Sequence, residues 1–403
     1  MRMRRALAAA AGGVTLLAGC SQAATPAARQ PATPRPAGVP LATSVLGPDG
    51  VSYAIVEMGG KAAANENFWQ LFARPEHGSG WRLVTPPGVA DNGGLVQSSS
   101  ARSLLVGFET SQELGFSPLA ESSDTGRSWN PAVLPSPLGA VPDALAAAGG
   151  GALALVRSKG GSVLAAGSSL SSWRTVATTA SIAGSAGACG VARLTAVALD
   201  GGGRQLVAAA CTRPGVVGVL VRHGRGFTLA GPPLPAGERR QVASVVRLER
   251  AGSGLAALVA LSGPSGTAVL SATEPAPGAP WSLSPPLGLD GAGLSASGLL
   301  PGGGAFVLER GAGTPEAAVI GAPRGGRWPP WSRLPTLPAG TQTIACSPAG
   351  SGWRIDAIAV EHSTMTDHVL EGAAWGPGGL AASGAHWVDR QRIVVPIQYG
   401  SSG

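Results

Sequence analysis

The stretch Ser122-Ser123-Asp124-Thr125-Gly126-Arg127-Ser128-Trp129 decides how this chain is read. It has the form Ser-x-Asp-x-Gly-x-x-Trp and lies between two runs of strand-forming residues. A Ser and an Asp two positions apart accept hydrogen bonds from the amides of a tight turn. Gly126 supplies the positive φ that such a turn requires. Trp129 then brings a large apolar side chain into the returning strand. The expectation is a hairpin whose second strand starts on an aromatic anchor.

Worn copies of this device recur along the chain. Gly78 and Trp81, Gly278 and Trp281, Gly325 and Trp328, and Gly384 and Trp387 repeat the Gly–x–x–Trp pair, and Gly224 with Phe227 repeats it with a smaller ring. Trp173 stands where another copy is due, with Leu170 in the glycine position. The anchors Trp81, Trp129, Trp173, Phe227, Trp281, Trp328 and Trp387 are separated by 48, 44, 54, 54, 47 and 59 residues. A period of this size marks a repeat architecture built from one supersecondary unit. Pro-containing turns follow the anchors closely, and Pro ends a strand because it removes a ladder donor. Each anchor is therefore expected to open the last strand of its unit. Three further short runs lie between anchors, for example Val242–Leu248, Leu255–Leu261 and Ala268–Ala272, divided by Gly- and Pro-rich turns.

Ser122, Asp124, Gly126 and Trp129 together resemble the Asp-box, or BNR repeat, of sialidase-like β-propellers. The resemblance implies an all-β fold in which these residues are structural and lie away from the ligand face. The fifty-residue unit suits one four-stranded antiparallel propeller blade with its turns. Residues 41–403 are thus expected to form a single seven-bladed β-propeller, a closed ring without a long unpaired sheet edge. Because the third and seventh units are irregular, six or eight blades stay open.

Composition agrees with many strands and turns. The 403 residues include 62 Gly and 34 Pro spread between short runs of Val, Leu and Ala, and only 13% of residues are charged. The formal charge of +7 falls to +4 without Arg2, Arg4 and Arg5. The remaining basic residues are scattered and do not alternate with aromatics, so a nucleic-acid groove is not expected.

Residues 1–19 have the three parts of an export signal: Arg2, Arg4 and Arg5, the apolar run Ala6 to Leu17, and a small-residue end. Leu17-Ala18-Gly19-Cys20 matches the bacterial lipobox. Its Cys20 thiol accepts a diacylglyceryl group, and acyl chains then hold the protein at the outer face of the membrane. Residues 20–40 are rich in Ala, Pro, Thr and Gln without an aromatic, which suits a tether rather than a packed core. The expected product is an exported, lipid-anchored envelope protein, monomeric, meeting the membrane through Cys20 and an envelope protein or glycan through its propeller.

An exported chain permits disulfides. Among Cys189, Cys211 and Cys346, the first two bracket a two-strand segment of the fourth unit and are the expected pair. Cys346 is expected as a buried small hydrophobe. No Cys-x-x-Cys or His-Glu-x-x-His spacing occurs, so neither a metal nor any other cofactor is expected.

The Asp-box resemblance raises sialidase chemistry, which in that family uses three Arg on the substrate carboxylate, a Tyr–Glu nucleophile pair and an Asp acid. This chain departs from it. Its two tyrosines are Tyr53, inside an apolar run, and Tyr399, near the tail, and no Arg-Ile-Pro occurs. Asp143, Asp200, Asp290 and Asp356 are available for paired-carboxylate hydrolysis, but no spacing selects two of them. No catalytic residue is assigned. The rim opposite the anchor turns has two polar loops, one with Lys61, Asn65 and Glu66 and one running from Glu361 and His362 to Asp367 and His368. First and last blades are neighbours in a ring, so these loops are expected to meet as a recognition patch. The favoured function is non-catalytic binding, with an exo-acting glycoside hydrolase second.

Overall fold

The computed structural model describes residues 43–396 apart from internal stretches, the longest being 60–66, 87–94, 109–118 and 132–141. The expected signal segment, tether and Cys20 lie outside the described residues. The described chain is a succession of antiparallel meanders. Five are separate four-stranded sheets, and two more share one nine-stranded sheet, joined where Ala210 faces Ser244. The first meander runs Thr43–Leu46, Ser52–Gly59, Asn67–Arg74 and Arg82–Leu83, and the second Leu95–Ser99, Leu104–Phe108, Leu119–Ser122 and Asn130–Pro131. The third is Pro142–Ala148, Gly151–Ser158, Gly161–Gly167 and Trp173–Thr178, and the fourth Val191–Leu199, Gln205–Cys211, Gly218–His223 and Gly226–Leu229. The fifth is Val242–Ala251, Gly254–Gly263, Gly266–Glu274 and Ser282–Leu283, and the sixth Leu294–Leu299, Ala305–Glu309, Ala317–Ile320 and Ser332–Arg333. The seventh is Thr341–Ala349, Gly352–Glu361, Thr364–Glu371 and His386–Val394.

Apolar clusters fill the space between adjoining sheets. One joins the third and fourth meanders, another the fourth and fifth, another the fifth and sixth. The first and seventh share Ala54, Val56, Phe72, Ala345 and Ile358. A strand covered on both sides has no polar face, which is why Gly254–Gly263 reads as an almost unbroken run and is buried over its first eight residues. Each fully buried Leu or Val there contributes about 1.5–3 kcal/mol relative to exposure.

The anchor turn forms as a local hydrogen-bonded unit. The Ser122 hydroxyl accepts from the Gly126 amide at 2.7 Å, and Asp124 Oδ1 accepts from the Arg127 and Ser128 amides at 3.0 and 2.8 Å. The Ser128 side chain, then its amide and the Ser122 hydroxyl, hold the Asp124 carboxyl well below its ordinary pKa. Gly126 has φ 83°, and Thr125 shares the left-handed region at 61°. A Cβ on Gly126 would stand 2.7 Å from Val84 Cβ of the first meander, so packing and backbone both require glycine. Arg82 donates to Thr125 Oγ1 at 2.8 Å. The turn therefore clamps one meander to the next. Trp129 is half-buried against the largest cluster.

Anchors open the last strands at Trp81, Trp129, Trp173, Phe227, Trp281 and Trp387, but the sixth requires a correction. Trp331, not Trp328, directly precedes Ser332–Arg333, the place that Trp281 holds before Ser282–Leu283. Gly325 and Gly326 make a small extra turn there, with Arg324 paired to Arg327. That insertion moved the Gly–x–x–Trp signal three residues ahead of the strand. The indoles staple neighbours: Trp281 donates to the Ala230 carbonyl at 2.8 Å, Trp328 to Ser282 Oγ at 2.8 Å and Trp331 to the Pro285 carbonyl at 2.9 Å. The irregular spacings have local causes. The helix Thr179–Ser185, seated by buried Ile182, follows the third meander. The hairpin Ala374–Gly376 with Gly379–Ala381 is inserted before the last strand, and Trp375 lies against Gly321.

Cys189 and Cys211 form a disulfide with Cα atoms 5.2 Å apart. Cys346 is a buried free thiol; burial raises its pKa above the ordinary thiol range. It lies inside the strand Thr341–Ala349, whereas Cys189 precedes its strand.

Candidate functional site

First strands of successive meanders lie side by side, the second against the third and so on through the sixth against the seventh, with the seventh beside the first. Six of these strands, from all but the seventh meander, border one cavity of about 1240 Å³. Its wall is mainly small and apolar, with Ala144, Ala146, Ala196, Ala198 and Val246 typical. No aromatic side chain lines it among the described residues. Register shifts interrupt the pairing of the first strands of the third to seventh meanders, for instance between Val245 and Arg247. Such bulges re-aim side chains.

Arg247 and Glu249 are the charged pair this bulge delivers to the cavity. They are two apart, face the same side of the strand and oppose Leu258 and Ala256. Leu248 between them turns into the core shared with the fourth meander. Arg247 Nε donates to the Ser297 carbonyl at 3.1 Å. Burial lowers the Arg247 pKa to about 10 and raises that of Glu249 to about 7, the latter opposed in part by Arg247. Both side chains keep partial solvent contact along the cavity. Thr195 Oγ1 and Gln97 Oε1 border the same space, buried and without a hydrogen-bond partner among the described residues. Buried polar atoms in that condition are costly unless a ligand or water satisfies them. Asp143 also lines the wall and pairs with Arg157 at 2.6 Å. Glu121 and Arg250 complete the charged lining.

Arg247 and Glu249 were not singled out in the sequence. The signal was present: Val242–Ala251 begins as a largely apolar run and then carries charges at 247, 249 and 250, the first two at alternate positions.

The expected rim patch is rearranged by the structure. Lys61, Asn65 and Glu66 lie outside the described residues. Of the other loop, only His362 and Ser363 form the turn, with His362 at φ 54°. Glu361 ends one strand, while Asp367 and His368 lie inside the next, Thr364–Glu371. The strand end Gly59 meets this turn, its amide donating to the His362 carbonyl at 2.8 Å. Asp367 is not a ligand-facing group. It is fully buried and accepts from Arg354 at 2.9 Å, while Arg354 also pairs with Asp356 at 2.6 Å. Asp356 in turn meets Arg74 of the first meander at 2.7 Å. Burial, followed by the charge of Asp356, pushes the Asp367 carboxyl up to about 7. His368 Nδ1 lies 2.6 Å from Asp389, whose carboxyl that contact lowers. Asp200 is held by Arg204, and Asp290 is largely exposed beside Arg333. Thus no two of Asp143, Asp200, Asp290 and Asp356 share the cavity. Tyr53 is buried, and Tyr399 lies outside the described residues.

No family model matches the chain, and no curated protein matches it. Among solved structures, a candidate 6-phosphogluconolactonase from Bacteroides uniformis is similar at 12% identity and a TM-score of 0.49, over 85% of this chain and 96% of that one. A second such protein, from Bacteroides fragilis, gives 12% identity and 0.47 over 85% and 98%. An ancestral GH74 enzyme gives 10% identity and 0.46, over 90% of this chain and 47% of that one. Identities this low, with TM-scores below 0.5, leave the activity of this chain to be argued from its own residues.

Proposed function

We propose that the successive meanders are the blades of a seven-bladed, Asp-box-type β-propeller that binds a protein or glycan at the cell envelope without transforming it. The ring reading is supported by the side-by-side first strands and by the apolar cluster common to the first and seventh meanders. The lipobox ending at Cys20 supports a lipid anchor on the outer face of the membrane. One observation carries the binding reading. The central cavity is walled by small apolar residues around one same-face Arg–Glu pair, with no tyrosine lining it among the described residues. That wall suits burial of a ligand surface and lacks an evident nucleophile pair.

The test has two arms. Cys20→Ser is expected to release the full chain from membranes and to abolish labelling by radioactive palmitate; unchanged retention and labelling would sink the anchor. The purified chain is expected to bind an envelope-derived protein or glycan in an interferometry screen and to leave fluorogenic glycosides, sialosides included, unhydrolysed. A second reading, glycoside hydrolysis, is favoured by the Glu249 carboxyl near pKa 7, the protonation state of a general acid. Turnover that disappears in Glu249→Gln would establish it over the first.

A further inference from the structure

We infer that the central cavity takes an extended peptide segment, bound through oppositely charged side chains two residues apart that meet Arg247 and Glu249. The inference rests on the reading of the chain as a recognition protein and narrows its ligand to one class. Four observations support it. The cavity, about 1240 Å³, is larger than the ~300–1000 Å³ of most small-molecule pockets. Its walls carry no aromatic side chain among the described residues, so the flat faces on which sugar rings stack are missing, while Ala, Val and Leu suit the methyl groups of a peptide. Alternate residues of a strand lie about 6.6–6.8 Å apart, so the charges at 247 and 249 have the same repeat as alternate side chains of an extended peptide. Thr195 Oγ1 and Gln97 Oε1 are buried polar atoms bordering the same space and lack partners among the described residues; a peptide's amide groups would satisfy them.

The electrostatics favour a charged partner over an apolar one. Burial disfavours the ionised forms of both Arg247 and Glu249, so a ligand carboxylate on the first and a ligand ammonium on the second would restore what burial removes. Asp143 is already engaged by Arg157, and Arg250 Nε by the Gly252 carbonyl. The charge that acts on the Glu249 carboxyl is Arg247, so Glu249→Gln removes one charge from the site and leaves the pairing of its strand with Ala256 in place.

The experiment is fluorescence anisotropy on the detergent-solubilised full chain. Two fluorescein-labelled probes are used, Ala-Ala-Asp-Ala-Lys-Ala-Ala and Ala-Ala-Lys-Ala-Asp-Ala-Ala, with chitotetraose as an unlabelled competitor and ligand. The wild type is expected to prefer one probe by about tenfold. Glu249→Gln is expected to weaken the preferred probe by a similar factor, and the doubly reversed variant, Arg247→Glu with Glu249→Arg, to invert the preference. Each variant is checked for an unchanged urea midpoint, and Glu249→Gln alone remains decisive if the double variant does not fold. Absence of binding by both peptides, no preference, or a preference that survives Glu249→Gln overturns the inference. Binding of chitotetraose that falls in Glu249→Gln also overturns it, but leaves the recognition reading standing. Hydrolysis of chitotetraose would instead remove the recognition reading itself.

Discussion

Replacing Arg74 by Ala tests whether the first and seventh meanders are locked by buried charge. Arg74 is 3% exposed and Asp356 0%. Arg74 meets Asp356 at 2.7 Å, donates to Ser347 Oγ at 2.7 Å and lies 5.0 Å from the centre of the Trp81 ring. Removing one partner of a buried ion pair costs about 3–5 kcal/mol, because the other charge stays buried. Arg354 remains 2.6 Å from Asp356, which places the expected loss near the lower end, about 3 kcal/mol. Loss of the cation–π contact adds about 0.5–2 kcal/mol. The sum is a large part of the ~5–15 kcal/mol that holds a typical domain folded. The assay is urea unfolding followed by tryptophan fluorescence, with a double-mutant cycle of Arg74→Ala, Asp356→Asn and the pair. Since the second change removes the stranded carboxylate, the double variant is expected to recover much of the loss. A cost below about 1 kcal/mol for Arg74→Ala, the scale of an exposed pair, would refute the argument, and so would strict additivity in the cycle.

Further outcomes follow from the same geometry. The folded state raises Asp367 to about 7, so it binds that proton more tightly than the unfolded chain does. The associated stabilisation is full below the ordinary Asp pKa and is lost as pH rises to about 7; Asp367→Asn should therefore weaken the decline of the urea midpoint between about pH 4 and 7, and an unchanged profile would count against it. Gly126→Ala, which forces a Cβ to 2.7 Å from Val84 at φ 83°, is expected to cost about 1–3 kcal/mol, read as a lower melting temperature; a neutral effect would show that the turn is not clamped. Reduction of Cys189–Cys211, 22 residues apart, is expected to cost about 3 kcal/mol, and equal melting temperatures with and without dithiothreitol would contradict that.

The legible part of the molecule was the part written in local chemistry. Ser122, Asp124 and Gly126 make their turn from neighbouring amides, and the strand runs of the fifth unit appear almost where the sequence puts them, as Val242–Ala251, Gly254–Gly263 and Gly266–Glu274. Disulfide partners were readable because both lie in one unit. Trp331 was missed because the extra Arg324–Arg327 turn carries its own Gly–Gly signal. The stretch 361–368 was read as a loop because its polar residues resemble a solvated turn. In fact His362 takes a left-handed conformation without glycine, and the chain pairs again from Thr364.

By itself, then, the sequence determined the repeating strand-and-turn unit and most of its anchors, since each depends on residues close in the chain. Tertiary structure decided which polar groups face what. Asp367 is polar in sequence yet buried, because Arg354 on the adjacent strand, itself tied to Asp356 and so to Arg74 across the meander junction, supplies its countercharge. Arg247 and Glu249 are an unremarked pair in sequence yet line the cavity, because a bulge turns them to the side where neighbouring first strands leave space. Burial and charge balance are set by groups on different strands and, for Arg74 and Asp356, on different meanders, and only the assembled sheets bring those groups together.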